Sequence, residues 1–213
     1  MNYFRIALAA AAGYLLGSVS IAVLFSKHIH KNDVRLAGSK NAGAANVART
    51  YGMRSGLAVL GGDILKTILA MLTGKLLAGT CGLTLSGIFC LTGHCWPLFF
   101  RFKGGKGVAA GAAFALMLDW RLLIILLSVF IIIYSFTKII SAGSLAAAAA
   151  FPAVWIYLSG FSVSALLTGV SVTAIVFIRH AENISRLIRG EETKFSVRSR
   201  TETQTQHQNK KDK

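Results

Sequence analysis

The sequence is poor in charged residues, proline and cysteine. Only 15% of its 213 residues are Asp, Glu, Lys or Arg, whereas 54% are hydrophobic, and the mean hydropathy is +0.59. Soluble domains average about 25% charged residues, so the composition excludes an ordinary soluble domain and predicts a polytopic membrane protein. The three cysteines are odd in number and lie in or beside one apolar run, which argues against a disulfide framework. No cysteine and histidine spacing indicates a metal site, and we expect neither a metal nor a cofactor.

Acidic residues are the scarcest charged type, with 8 Asp and Glu against 23 Lys and Arg and a net charge of +15. Such an excess is compatible with nucleic acid, anionic lipid or anionic substrates as partners. Nearly all of the basic residues fall in loops on one side of the predicted membrane topology, as the positive-inside rule requires. Orientation in a bilayer therefore explains the charge, and we expect no nucleic-acid partner.

Long apolar runs predict an all-α protein with about seven transmembrane helices. The first run, residues 4–25, has the length that a span requires, and we interpret it as a retained helix rather than a signal peptide. The run of residues 108–137 is interrupted at Asp119-Trp120-Arg121, and two short helices with a turn there keep every basic loop on the same side. The remaining predicted spans are residues 55–73, 81–100, 142–158 and 161–178.

This topology places the N-terminus outside and the C-terminus in the cytoplasm. Residues 1–194 are predicted to form one membrane domain, and residues 195–213 a basic, polar, disordered tail. Asp63 and Lys66 fall inside the second span at i,i+3 spacing, which predicts a mutual ion pair near the inside surface, with structural and functional roles both open. His94, at the end of the third span, is interpreted as structural support.

The loop after the third span combines glycine with lysine. Lys103 and Lys106 bracket Gly104 and Gly105, and a helix is predicted to begin after Gly107. Glycines let backbone N–H groups approach an anion, and the helix would direct its positive end to the same point. The spacing is not that of a Walker nucleotide loop. A basic loop that only fixes topology would not need the glycines, so we favour a phosphate-binding loop.

A second polar segment, residues 37–49, lies on the same predicted face. Small residues alternate there with amide and hydroxyl side chains, and the segment ends at Arg49. Two interpretations remain open. One is a flexible loop with a helix cap at Asn46, and the other is a phosphate cradle that Arg49 closes as a bidentate clamp.

A third segment, residues 179–194, follows the last span. His180, Asn183 and Arg186 are spaced three apart and therefore share one face of a helix. An amphipathic surface helix held by lipid headgroups is the alternative. Ser141 and Ser144 form a smaller polar patch on the same side, with helix capping as their alternative role.

Taken together, the three segments resemble the bacterial acyl-phosphate:glycerol-3-phosphate acyltransferases of phospholipid synthesis, and the resemblance extends to about Lys194. Lys40 stands where the family usually has glycine and Ala45 where it usually has threonine, which puts loop flexibility and one hydroxyl contact in doubt. The motifs in this sequence are Gly38-Ser39-x-Asn41-x-Gly43-Ala44-x-Asn46-x-x-Arg49, then Gly93-His94-x-x-Pro97-x-Phe99 with Phe102-Lys103-Gly104-Gly105-Lys106-Gly107-Val108, then His180-x-x-Asn183-Ile184-x-Arg186-Leu187-x-x-Gly190-x-Glu192-x-Lys194.

The resemblance implies transfer of a fatty acyl group from acyl phosphate to the 1-hydroxyl of glycerol 3-phosphate, at the cytoplasmic face of a bacterial inner membrane. It implies catalytic roles for Lys106, His180 and either Ser141 or Ser144. It also implies contact with the bilayer and with the enzyme that supplies acyl phosphate. Because acyl phosphate is already activated, orientation and charge stabilisation suffice, and the departing phosphate or His180 accepts the hydroxyl proton. The implied substrate-binding residues are Ser39, Asn41, Gly43, Asn46, Arg49, Lys103, Gly104, Gly105, Asn183 and Arg186.

Two other functions are compatible with parts of the sequence. His28-x-x-x-x-Asp33 matches the His-x4-Asp pattern of acyltransferases that use acyl thioesters, although a pattern of two residues arises easily by chance. A transporter or channel for organic phosphates would also need a basic lining. Transporters usually show internal repeats and polar groups near the bilayer midplane, whereas the polar clusters of this sequence lie at one face and no repeat is found.

Overall fold

The computed structural model describes residues 3–195, and all regular structure within them is helical. This confirms the all-α prediction, and the predicted tail beyond residue 195 lies outside the described residues. The helices are α1 Tyr3–Gly17, α2 Ile21–His30, α3 Ala44–Tyr51, α4 Met53–Cys95, α5 Val108–Leu118, α6 Trp120–Thr137, α7 Ile140–Ser159, α8 Val163–Arg179 and α9 Ala181–Ile188. Short 3-10 turns at Val34–Leu36 and Leu98–Phe100 complete the described elements.

The first predicted span is helical but is not one continuous helix. α1 ends at Gly17 and α2 begins at Ile21, so residues 18–20 interrupt the helix. The prediction of an unbroken helix over residues 4–25 is therefore wrong in this respect. The apolar run gave no signal for the interruption, because serine is tolerated in the middle of apolar helices and no proline or charge marks the position.

α4 is a helical hairpin and not a single rod. Its 43 residues depart from helical backbone geometry at Ala78 and Gly79, where Gly79 has φ +64°. On either side of that point the two halves pack closely, because the Ser86 hydroxyl donates to the Ala70 carbonyl at 2.6 Å. We call residues 53–77 α4a and residues 80–95 α4b. The hairpin corresponds to the second and third predicted spans.

α1 packs along α4b through glycines. A Cβ on Gly13 would lie 2.3 Å from the Ser86 carbonyl oxygen, and one on Gly17 would lie 2.2 Å from that of Cys90. Real Cβ contacts are never this short, so both positions need glycine for the backbones to approach. Because successive contacts advance together along both helices, α1 and α4b run in the same direction.

The break predicted at Asp119-Trp120-Arg121 is present, because α5 ends at Leu118 and α6 begins at Trp120. Asp119 caps α6 by accepting a hydrogen bond from the Arg121 backbone N–H at 2.8 Å. α5 has only 11 residues, which is about 16 Å of helix and about half of the hydrocarbon thickness. The buried ring of Phe114 anchors α5 to the core of the bundle.

By length and hydropathy, four stretches of residues 3–195 qualify as membrane spans, and a fifth does so if α8 and α9, bent by 66°, count together. Two of the four are longer than a simple pass: Tyr3–His30 contains the break between α1 and α2, and Met53–Phe100 contains the α4 hairpin. Large apolar side chains on the outer surfaces of α6 and α8 are exposed, as in a bundle surrounded by lipid. The chain is a multi-pass membrane protein, and the count of seven spans stays a prediction.

Candidate active site

The loop of Gly104 and Gly105 is fixed by its neighbours on both sides. The Gly105 backbone N–H donates to the His94 carbonyl at 3.0 Å. Arg179, the last residue of α8, donates through its guanidinium to the carbonyls of Gly105 at 3.0 Å and Gly104 at 3.3 Å. Gly107 has φ +80° at the N-cap of α5, a conformation that favours glycine. The loop is therefore a rigid turn that leads into the positive end of a helix, as the sequence predicted.

Glu192 lies at the centre of the polar cluster next to this loop. Its Oε1 atom accepts hydrogen bonds from the Ser141 hydroxyl at 2.8 Å and from the Asn183 amide, and its Oε2 atom accepts from Arg186 at 2.6 Å. The Glu192 side chain is only 8% exposed. Burial opposes ionisation of Glu192, but these hydrogen bonds outweigh it and lower the pKa of the carboxyl. Glu192 is thus an anion that joins α7 and α9.

Lys106, in the loop that precedes α5, contacts the same cluster. Its ammonium donates to the Asn183 side-chain oxygen. Burial lowers the pKa of Lys106 to about 8, even though the nearby carboxylate of Glu192 favours the charged form. Lys106 is therefore a partly desolvated cation at neutral pH, and such a cation binds a phosphate more strongly than an exposed lysine does.

His180 is buried at the junction of α8 and α9, with 1% of its surface exposed. Its Nδ1 atom lies 2.8 Å from the Val176 carbonyl. A carbonyl can only accept, so Nδ1 carries the hydrogen and Nε2 keeps its lone pair in the neutral ring. Burial lowers the pKa of His180 to about 4, and Lys106 and Arg179 contribute in the same direction. At neutral pH the ring is uncharged.

Asn46 organises the loop of residues 37–43 from inside. It is 1% exposed, and its amide nitrogen donates to the carbonyls of Val34, Ala37 and Asn41 at 3.0–3.1 Å. Its side-chain oxygen accepts from the Ser39 backbone N–H at 2.8 Å. Of the two interpretations left open for this segment, the helix cap at Asn46 is wrong, because α3 begins at Ala44 with Gly43 at its N-cap. Asn46 shapes the loop and has its polar atoms committed to it.

The backbone at Lys40 explains why the family usually has glycine at this position. Lys40 has φ +57°, in the left-handed region where glycine is favoured and other residues are strained by about 1 kcal/mol. A glycine at this position would adopt the same turn without strain. The lysine preserves the turn at an energetic cost, and its side chain is exposed.

The other predicted site residues differ in whether they contact the cluster around Glu192. Arg49 is half-buried, and its guanidinium lies 5.8 Å from the centre of the Phe195 ring, near the end of the third segment. Ser39 and Lys103 are both exposed. Ser144, in contrast, donates to the Ile140 carbonyl at 2.9 Å within its own helix, so of the two serines only Ser141 contacts the cluster around Glu192.

Two residues with a clear place in the site were absent from the sequence prediction. Glu192 appeared only as a motif position, and Arg179 only as the start of a segment. The one signal for Glu192 was its place in the same motif as Asn183 and Arg186. No sequence signal pairs Arg179 with the carbonyls of Gly104 and Gly105, because that contact depends on how α8 meets the loop.

The thioester pattern His28-x-x-x-x-Asp33 does not form a pair in the structure. Asp33 accepts from the Arg35 guanidinium at 2.8 Å and from the Arg35 backbone N–H at 3.0 Å, and Lys27 lies 3.5 Å away. Arg35 accordingly lowers the pKa of Asp33 to about 2. His28 is exposed on α2, and Asp33 serves as a cap and ion-pair partner instead of orienting it. Within residues 3–195, no group of three or more His, Cys, Asp or Glu side chains could hold a metal ion.

Comparison with known proteins gives a consistent result over nearly the whole chain. The family model described as glycerol-3-phosphate acyltransferase matches residues 7–190. A glycerol-3-phosphate acyltransferase of Desulforudis audaxviator (strain MP104C) is 37% identical over 199 residues, which are 93% of this chain and 100% of the relative. One of Anaeromyxobacter dehalogenans (strain 2CP-1 / ATCC BAA-258) is 39% identical over 194 residues, covering 88% and 96%.

Two solved structures share the fold. The glycerol 3-phosphate form of PlsY (YgiH), an integral membrane glycerol 3-phosphate acyltransferase, superposes with a TM-score of 0.82 at 31% identity. The match covers 90% of this chain and 96% of that one. The lysophosphatidic acid form of the same enzyme has a TM-score of 0.79, with 90% and 95% coverage.

Proposed function

The chain belongs to the glycerol-3-phosphate acyltransferase family, and we propose that the polar cluster around Lys106 and Glu192 is its active site. The protein transfers a fatty acyl group from acyl phosphate to the 1-hydroxyl of glycerol 3-phosphate, and lysophosphatidic acid and phosphate are the products. The hydroxyl oxygen forms the new bond to the acyl carbon, and the bond from that carbon to the phosphate oxygen breaks.

The observation that carries the proposal is the meeting of distant segments at Lys106. Asn183 accepts from the Lys106 ammonium, and Glu192 links Asn183 to Ser141 and Arg186. Both substrates carry phosphate, so the reaction requires two anion sites side by side. A loop with a desolvated lysine next to a cluster of hydroxyl, amide and guanidinium groups supplies the donors for both.

The loop of Gly104 and Gly105, together with Lys106, holds one phosphate. The phosphate oxygens accept hydrogen bonds from backbone N–H groups at the start of α5, and the Lys106 ammonium balances their charge. Lys103 adds charge at the exposed end of the loop, and the side chains of Ser39 and Asn41 close it from the other segment. Gly43 and Asn46 maintain the shape of that segment.

Arg49, Ser141 and Asn183 position glycerol 3-phosphate. Arg49 presents a planar guanidinium suited to two phosphate oxygens, and Asn183 and Ser141 offer hydrogen bonds to the glycerol hydroxyls. Arg186 supports this set by holding the Glu192 carboxylate at 2.6 Å. The acyl tail lies among the apolar helices, so only the two head groups enter the polar cluster.

The departing phosphate is the stronger candidate for the proton acceptor. A phosphate monoester has a second pKa of about 6 and free phosphate is at least as basic, whereas the pKa of His180 is about 4, so phosphate is the better base at neutral pH. His180 remains neutral, and its Nε2 lone pair accepts a hydrogen bond from the attacking hydroxyl and orients it. No covalent enzyme intermediate is required, because the donor is already activated.

The site faces the cytoplasm in a bacterial inner membrane in this proposal. The basic residues of the loop, of residues 37–49 and of residues 179–194 gather at one end of the helices, as the positive-inside rule predicts for the cytoplasmic side. That placement gives the site access to water-soluble glycerol 3-phosphate. It also allows contact with the enzyme that supplies acyl phosphate.

Substitution of the two phosphate-facing cations tests the site. Lys106→Ala and Arg49→Ala are each expected to abolish acyl transfer in purified protein, whereas Lys75→Ala, on an exposed position of the same fold, retains it. Retained activity in both site variants would contradict the assignment. Uptake of labelled glycerol 3-phosphate by liposomes in the absence of acyl donor, unaffected by Lys106→Ala, would support transport instead.

A further inference from the structure

The break between α1 and α2 leaves two backbone carbonyls that a group outside these helices has to satisfy. Residues 18–20 leave helical geometry, so the carbonyls of Gly17 and Val19 lose their partners within the helix. A carbonyl without a partner is costly inside a membrane protein, and irregular backbone is tolerated only where another group satisfies it. The Lys66 ammonium of α4a does so, because it donates to the Val19 carbonyl at 2.8 Å and to the Gly17 carbonyl at 3.2 Å.

Lys66 is in turn held by a buried counterion and by a histidine from the other half of the hairpin. Its Nζ atom lies 2.9 Å from Asp63 Oδ1, as the sequence predicted, and 3.1 Å from His94 Nδ1. His94 Nδ1 is also 3.4 Å from the Asp63 carboxylate. All three side chains are at most 7% exposed. The cluster joins α4a to α4b and both to the helix break.

His94 connects the cluster of Asp63, Lys66 and His94 to the loop of Gly104 and Gly105. Its carbonyl accepts the Gly105 N–H at 3.0 Å, and its ring lies directly beneath Gly105, because a Cβ there would fall 2.2 Å from His94 Nε2. The same helix break holds the chain just before the loop, since the Ser18 hydroxyl accepts from the Leu98 backbone N–H at 3.2 Å. Lys106 follows Gly105 directly, so the position of its backbone is set by the His94 ring.

We propose that Asp63, Lys66 and His94 are positioning residues for phosphate binding, which fix the loop of Gly104 to Lys106 against the break in the first span. They touch neither substrate. They act through the loop backbone. Their polar atoms contact one another and the carbonyls of Gly17 and Val19. The proposal rests on the function proposed above, in which that loop holds a phosphate.

A double-mutant cycle between His94 and Gly105 tests the contact. Gly105→Ala places a methyl group against the His94 ring. It is expected to raise the KM for acyl phosphate or for glycerol 3-phosphate about tenfold or more, with a smaller change in kcat. His94→Ala removes the support and should also raise KM. Because the smaller residue makes room for the methyl group, the double variant should lose less than the product of the two single losses. Multiplicative losses would overturn the proposal. If His94→Ala does not insert, His94→Asn takes its place.

Amide hydrogen exchange provides a measurement that does not depend on catalysis. Lys66→Gln removes the cation from the cluster and should speed exchange in the peptide of residues 97–107 as well as at residues 16–20. The control Lys75→Gln, on the exposed far end of α4a, should leave both unchanged. Wild-type exchange over residues 97–107 in Lys66→Gln would overturn the proposal. Acyl transfer by wild-type protein tests the proposed function, and hydrogen exchange in Lys66→Gln tests the positioning cluster. The two can therefore fail independently.

Discussion

At the scale of single residues, burial determines which charged groups take part in the chemistry. Lys106 and His180 are both partly or fully withdrawn from water, and in each case burial lowers the pKa, to about 8 and about 4 respectively. The lysine stays charged and the histidine stays neutral across the neutral range. The sequence predicted both residues from their motifs, but the protonation state follows from neighbours that only the fold brings together.

The pKa of Lys106 sets the alkaline limit of activity. Below about pH 8 the free enzyme carries the ammonium that binds phosphate, and above it the group loses its proton, so kcat/KM should fall up to about tenfold per pH unit. Lys106→Arg keeps its charge at all accessible pH values and should remove this fall, although its larger head group lowers the rate below pH 7. Steady-state kinetics between pH 6 and 9.5 measure the effect, and an unchanged alkaline limb in Lys106→Arg would contradict it.

Ser141 and Ser144 form a matched pair for testing which serine acts. Both are buried on α7, but Ser141 donates to the Glu192 carboxylate, whereas Ser144 donates to a carbonyl of its own helix. Ser141→Ala removes the hydroxyl proposed to contact glycerol 3-phosphate and one hydrogen-bond donor to Glu192, so it should lower kcat/KM by about tenfold or more. Ser144→Ala should remain within about threefold of wild type. The reverse order of losses would show that the cluster around Glu192 has been misassigned.

At the scale of helices, close backbone packing holds the bundle together. α1 and α4b meet at glycines, and the hairpin of α4 closes through a side-chain hydrogen bond between its halves. The sequence contained the Gly13 and Gly17 pattern, but such patterns arise often in apolar helices. The break between α1 and α2 could not be predicted, because it is stabilised by Lys66, which lies 49 residues after Gly17 and 47 residues after Val19.

Gly13 and Gly61 separate the effect of packing from that of helix propensity. A Cβ on Gly13 would meet the Ser86 backbone, so Gly13→Ala should destabilise the protein by about 1–3 kcal/mol. Gly61 lies on α4a with open space around it, and Gly61→Ala should be neutral or stabilising by up to about 1 kcal/mol. Thermal unfolding in detergent compares the two variants. Equal stability of both would mean that α1 does not pack against α4b as described.

At the scale of the whole molecule, the scarcity of charged residues and their placement in the sequence carried the prediction of the architecture. They predicted a membrane protein, the grouping of three polar segments, and the break at Asp119, all of which agree with the helices observed. The number of spans is harder, because α5 is short and the α4 hairpin passes as one long apolar stretch. The site itself was predicted as a set of segments, whereas the central position of Glu192 required the fold.

Orientation in the membrane has its own test. In a background with the native cysteines replaced by serine, Lys75→Cys is predicted to lie outside and Lys31→Cys in the cytoplasm, and both positions are exposed. A membrane-impermeant maleimide added to intact cells should label Lys75→Cys at once and Lys31→Cys only after permeabilisation. The opposite pattern would invert the topology and place the site on the outer face.

The identity of the acyl donor separates the acyl-phosphate reaction from the thioester reaction, and an assay of both donors decides between them. Purified protein in detergent receives labelled glycerol 3-phosphate with either a long-chain acyl phosphate or the matching acyl-CoA, and lysophosphatidic acid and phosphate are quantified. We predict equal amounts of both products from acyl phosphate, none from acyl-CoA, and undiminished activity in His28→Ala. Product formed from acyl-CoA but not from acyl phosphate, and lost in His28→Ala, would contradict the account.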